Sequence, residues 1–112
     1  MISLNFQQLD EESMCALYSI DFDSGTSLQS MLNDIQELEQ NGKWHSVGTV
    51  QIYKAKELYD EPIVEVKYVG GIISYNEWKK IPIHILNKPV KYAYMFATTI
   101  KDGNYHIAIT VK

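Results

Sequence analysis

From Met14 to Phe22 the chain alternates. Met14, Ala16, Tyr18, Ile20 and Phe22 fall on one side, with Cys15, Leu17, Ser19 and Asp21 on the other. That is the period of a half-buried strand. Asp23-Ser24-Gly25 interrupts it, and apolar side chains then recur at Leu28, Met31, Leu32, Ile35 and Leu38. This spacing predicts one amphipathic helix over about residues 27–40. Thr26 with Gln29 has the form of a capping box, and Asn41-Gly42 supplies a stop.

After Gly42 the period returns to two. Val47–Tyr53 and Ile63–Val69 read as strands, and Ile72–Tyr75 and Ile81–Leu86 carry weaker strand character around Gly70-Gly71 and Pro82. Lys101-Asp102-Gly103-Asn104 centres Asp-Gly in a two-residue hairpin turn. Such a turn pairs Ile100 with Tyr105, Thr98 with Ile107, Phe96 with Ile109 and Tyr94 with Val111. It makes Tyr92, Tyr94, Phe96 and Tyr105 core residues, and leaves Met95, Ala97, Thr99, His106, Ala108 and Thr110 on a mixed face.

The expected fold is therefore α+β: one helix packed on a curved, mainly antiparallel sheet of about five or six strands, in the order β-α-β-β-β-β. No repeat, low-complexity tract or linker divides the chain, so residues 1–112 form one expected domain. The element order resembles cystatin-like and nuclear-transport-factor-like folds. That resemblance implies a helix cradled by the sheet; the alternative function, a small-ligand carrier or enzyme, would use a pocket between them lined by Tyr18, Tyr92, Tyr94 and Phe96.

Composition narrows the function classes. At 46% hydrophobic and 21% charged, the chain has the make-up of a soluble globular domain. Its one cysteine, Cys15, cannot bridge internally and fits a reducing, cytoplasmic setting. Met1–Glu12 lacks the basic start of a signal peptide, and no apolar run approaches a membrane span. The net charge of -4 is unevenly spread. Residues 1–42 hold eight acids and no lysine, giving -8, while residues 43–112 hold ten lysines against six acids, giving +4. Arginine is absent, which removes the bidentate fork used on phosphates and guanine edges, so nucleic acid is not the expected partner.

Few residue patterns suggest chemistry. Phe22-Asp23-Ser24-Gly25-Thr26 resembles the signature of dimeric aspartic proteases, which implies Asp23 as a shared acid/base and Tyr68–Ile72 as a flap. The helix that follows, and the missing second signature near the C-terminus, favour a capping turn instead. Asp21-Phe22-Asp23 fails as a calcium loop because residue 32 is leucine where glutamate is needed. His45, His84 and His106 are scattered, so no metal site and no cofactor are expected.

The most unusual feature is a set of acids late in the helix. Asp34, Glu37 and Glu39 sit where the helix dipole disfavours them, with no cation in the helix to compensate. Together with Asp10, Glu11, Glu12 and Trp44 they form the expected partner-binding surface. The protein then reads as a non-catalytic binding module that occludes a basic surface on another protein. In size and charge it resembles small acidic immunity proteins directed against toxin nucleases.

Overall fold

The computed structural model describes residues 2–10, 15–42, 47–55, 61–97 and 105–112, with 6–10, 15–16 and 97 described for their backbone. The chain enters through two strands, β1 (Ser3–Asp10) and β2 (Cys15–Asp21). They pair antiparallel, Leu4 opposite Ile20 and Phe6 opposite Tyr18, with a register shift between Phe6 and Gln8. Helix α1 (Leu28–Gln40) follows. Its N-cap is Ser27, whose hydroxyl accepts from the Ser30 N–H at 3.1 Å. The cap thus falls one residue after Thr26, whose own hydroxyl donates to the Asp23 carbonyl at 2.6 Å. The helix ends at Asn41 and Gly42, the latter at φ 70, in the left-handed region that glycine tolerates.

Strands β3 (Val47–Lys54), β4 (Val64–Val69) and β5 (Ile72–Ile73) come next. Gly70 and Gly71 join the last two with φ of 61 and 79, the paired positive values of a tight hairpin turn. Two four-residue helices, α2 (Tyr75–Trp78) and α3 (Ile83–Leu86), precede β6 (Val90–Ala97) and β7 (Tyr105–Val111).

The strands form one seven-stranded sheet in the order β1-β2-β6-β7-β3-β4-β5. It is mixed, because β3 and β7 run parallel while every other pair is antiparallel. The expected single helix on a five- or six-strand, mainly antiparallel sheet is therefore corrected in three places. The N-terminal segment adds a strand that its irregular alternation concealed, since the register shift at Phe6/Gln8 breaks the period. Ile81–Leu86 is not a strand: Pro82 opens a helical turn that buries Ile81 and Ile85, four residues apart, on one side. The final strand also reaches across to pair in parallel with β3, a long-range choice that local pattern does not encode.

The fourth correction concerns β6. Phe96 lies opposite His106, not Ile109, and Met95 lies opposite Ile107. Relative to the hairpin expected from Asp102-Gly103, the register moves by three positions, and an odd shift exchanges the two faces of a strand. Ala93 and Met95 enter the core, and Tyr92 and Tyr94 leave it. The turn residues themselves lie outside the described residues.

One core cluster results. Leu28, Met31, Leu32 and Ile35 of α1 are fully buried together with Val50, Ile52, Val66, Met95, Ile107, Ile109 and Val111 from the sheet. Tyr18, Phe22 and Leu38 pack at its margin. The face assignment makes a direct prediction: Met95→Ala should cost about 2–5 kcal/mol of unfolding free energy. Tyr94→Ala should cost less than about 1 kcal/mol, because it empties no core space. Urea denaturation of both variants checks this, and the reverse ranking would contradict the register.

Candidate functional site

The expected partner-binding acids are dispersed in the structure. Asp10 closes β1, its backbone paired with Cys15. Glu11, Glu12 and Trp44 lie outside the described residues, as does His45. Asp34 and Glu37, three residues apart, stay on the solvent side of α1, half-buried and exposed respectively. Glu39 does not join them. It falls four residues after Ile35 and seven after Leu32, so it continues the apolar stripe. Its Oε1 accepts the Val47 N–H at 3.2 Å, and its side chain packs against Gly71, where an added Cβ would meet its Cδ at 3.4 Å.

Neighbouring amides on the helix have similar structural work. Gln36 Oε1 accepts the Ile73 N–H at 2.9 Å, and Gln40 Nε2 donates to the Gly71 carbonyl at 3.4 Å. Gln36, Glu39 and Gln40 thus clamp β3 and the β4–β5 hairpin to α1. Burial holds the Glu39 carboxyl above its ordinary 4.5, although the Val47 N–H partly opposes this.

Asp23, His84 and His106 lie on separate segments. The Asp23 carbonyl accepts the Thr26 N–H at 3.1 Å, so the Asp-Ser-Gly-Thr segment forms a turn leading into a capped helix. His84 is exposed on α3 rather than set in a strand. His106 Nδ1 shares a hydrogen bond with Thr49 Oγ1, and its ring lies 5.9 Å from that of Phe96. Among the described residues, no group of three or more His, Cys, Asp or Glu gathers to hold a metal. No helix among them is long and apolar enough to cross a membrane.

The aromatic pocket beneath the helix is also corrected. Tyr18 does pack at the core margin, but Tyr92, Tyr94 and Phe96 belong to the opposite face of the sheet, turned away from α1. There they form a column along β6. Tyr92 and Tyr94 are 45% and 39% exposed, with ring centroids 5.9 Å apart, and Leu17 of β2 stands opposite Phe96.

The rows across this face are set by register. Tyr92, Thr110 and Tyr53 stand in one row, Tyr94, Ala108 and Gln51 in the next, and Phe96, His106 and Thr49 in the third. Strands lie about 4.8 Å apart, so the β6 and β3 side chains of one row stand about 10 Å apart over the smaller β7 residues. Thr110, only 7% exposed, is shaded between Tyr92 and Tyr53. The outcome is a shallow trough with an aromatic wall. The sequence pattern puts Tyr92, Tyr94 and Phe96 in the core instead, because alternation alone does not say which half of a strand faces a helix.

Comparison with known proteins finds no family model, no curated protein and no solved structure that matches this chain.

Glu39 yields a prediction. A carboxyl with a raised folded pKa binds more protons folded than unfolded, so stability falls as pH rises through that interval. Glu39→Gln keeps an oxygen for the Val47 N–H and removes the charge. The variant should gain stability over wild type as pH rises from about 4.5 toward neutrality, with little difference in more acid solution. Urea midpoints across that range would show it; a gap independent of pH would contradict it.

Proposed function

We propose that the protein is a binding module rather than an enzyme, acting in the cytoplasm and docking another protein through the face of its sheet opposite α1. One observation carries this reading: Tyr92 and Tyr94 stand exposed beside Phe96, on the face opposite the helix. Tyrosines on a rigid strand offer large contact area at small conformational cost, which is why they anchor interfaces. Tyr94 and Phe96 are held by backbone pairing on both sides of β6, to β2 and to β7, and Tyr92 by pairing to β7, so the surface is preorganised.

A second reading keeps the acids of α1 as the contact, in an inhibitor that covers a basic surface. Its support is that Asp34 and Glu37 face solvent and form no ion pair with a described residue. Long-range attraction from such charges speeds encounter with a basic partner.

Affinity capture from the native host separates the two. A partner held by wild type should be weakened about thirtyfold or more by Tyr92→Ser/Tyr94→Ser, the loss expected when interface anchors are truncated. Asp34→Lys/Glu37→Lys should leave the equilibrium affinity nearly unchanged. If the lysine variant loses the partner and the serine variant keeps it, α1 is the contact and the sheet-face reading fails.

A further inference from the structure

Four lysines from three segments of the chain meet at one end of the sheet. Lys54 ends β3, Lys112 follows β7, and Lys88 and Lys91 flank the entry to β6. Because β3 and β7 are parallel, with Lys54 opposite Val111, both chains arrive at the same edge. Two hydrogen bonds join the segments: the Ala55 N–H to the Val111 carbonyl at 2.8 Å, and the Lys112 N–H to the Pro89 carbonyl at 3.0 Å. The start of α1 holds the third segment, since the Leu28 N–H donates to the Lys88 carbonyl and the Val90 N–H to the Thr26 carbonyl.

Between these segments is a cleft of about 490 Å³ lined by Lys54, Ala55, Lys88, Lys91 and Lys112. Among the described residues no aspartate or glutamate side chain lines it, and none of the four lysines forms a side-chain ion pair with another described residue. In a protein of net charge -4 this is a concentrated positive pole. Like charges held together without a counter-charge disfavour the fold, and a bound anion relieves that repulsion.

We infer that the cleft is a binding site for a small molecule carrying two or more phosphoryl groups. The inference does not rest on the sheet-face reading, although Lys91, whose ammonium lies 5.9 Å from the Tyr92 ring centroid, borders both surfaces. Several features set the ligand class. Ammonium groups act on phosphate as point charges, without the planar fork of arginine, so recognition follows the number of negative charges more than their geometry. The volume is in the range of small-molecule pockets and far exceeds what a single phosphate fills. Ala55 and the lysine methylene stems leave apolar wall for the organic part of such a ligand.

The test is thermal unfolding of the full chain with inorganic pyrophosphate, adenosine triphosphate, inorganic phosphate or sulfate, all at one ionic strength. Pyrophosphate and the triphosphate should raise the midpoint saturably, with dissociation constants at least about tenfold below those of the single-phosphorus and sulfur anions. Each of Lys54→Gln, Lys88→Gln, Lys91→Gln and Lys112→Gln should weaken binding roughly two- to fivefold, the range for a solvent-exposed charge pair. The double change Lys88→Gln/Lys112→Gln should multiply the two losses. Lys79→Gln, whose ammonium lies over Tyr75, should change nothing. The inference is overturned if no saturable shift appears, or if the double variant responds as wild type does. Binding of a single-stranded oligonucleotide without binding of pyrophosphate would also overturn it, assigning the lysines to a nucleic-acid backbone.

Discussion

Strand β7 is hydrogen-bonded along both edges, antiparallel to β6 and parallel to β3, and this double pairing determines what each face of the sheet carries. Ile107, Ile109 and Val111 point toward α1 and are fully buried. Register with β7 then brings Met95 and Ala93 of β6, and Val50 and Ile52 of β3, to the same side. The remaining side chains of those strands have only the other face, so the exposed tyrosines and the buried core are one consequence of one pairing. The parallel alignment has a further effect. It ends β3 and β7 together beside the entry to β6, which is the geometry that gathers the four lysines.

Local periodicity made part of this visible. The stripe Leu28, Met31, Leu32, Ile35 is the buried face of α1, and the alternations read over Met14–Phe22, Val47–Tyr53 and Ile63–Val69 correspond to strands Cys15–Asp21, Val47–Lys54 and Val64–Val69. Period and apolar size suffice there because each element buries one face against a single neighbour. Where pairing is irregular the signal weakens. The register shift in β1 spoils its alternation, and Pro82 turns an Ile-x-Ile run into a helix start. On β6, apolar and aromatic residues occupy both faces, so alternation holds in either register and pairing with β7 decides. Tyr92 and Tyr94 are apolar enough for a core and polar enough for a surface, and their hydroxyls give no preference. Glu39 was legible in principle: its position four residues after Ile35 places a carboxylate on the buried stripe.

Charge in this molecule is sorted by fold more than by sequence order. The polar residues late in α1 divide into those that clamp the β4–β5 hairpin and β3, Gln36, Glu39 and Gln40, and those that face solvent, Asp34 and Glu37. The glycine at 71 is part of that clamp. Its positive φ makes the tight turn, which brings its backbone against the Glu39 side chain. Lys54, Lys88, Lys91 and Lys112, by contrast, converge at the far end of the parallel pair without a carboxylate side chain paired to them among the described residues. A trough with one aromatic wall and a basic cleft on one small domain are two chemically different surfaces, one largely apolar and one ionic. The salt dependence of whatever binds at each should differ accordingly.

The face assignment of β6 is the premise on which both the core and the open trough depend. Nuclear Overhauser contacts in the labelled protein test it directly, because opposite residues of an antiparallel pair bring their backbone protons close. Contacts between Tyr94 and Ala108, and between Met95 and Ile107, are expected from the observed pairing. Contacts of Tyr94 with Val111 and of Phe96 with Ile109 would instead put the tyrosines under the helix and contradict the account.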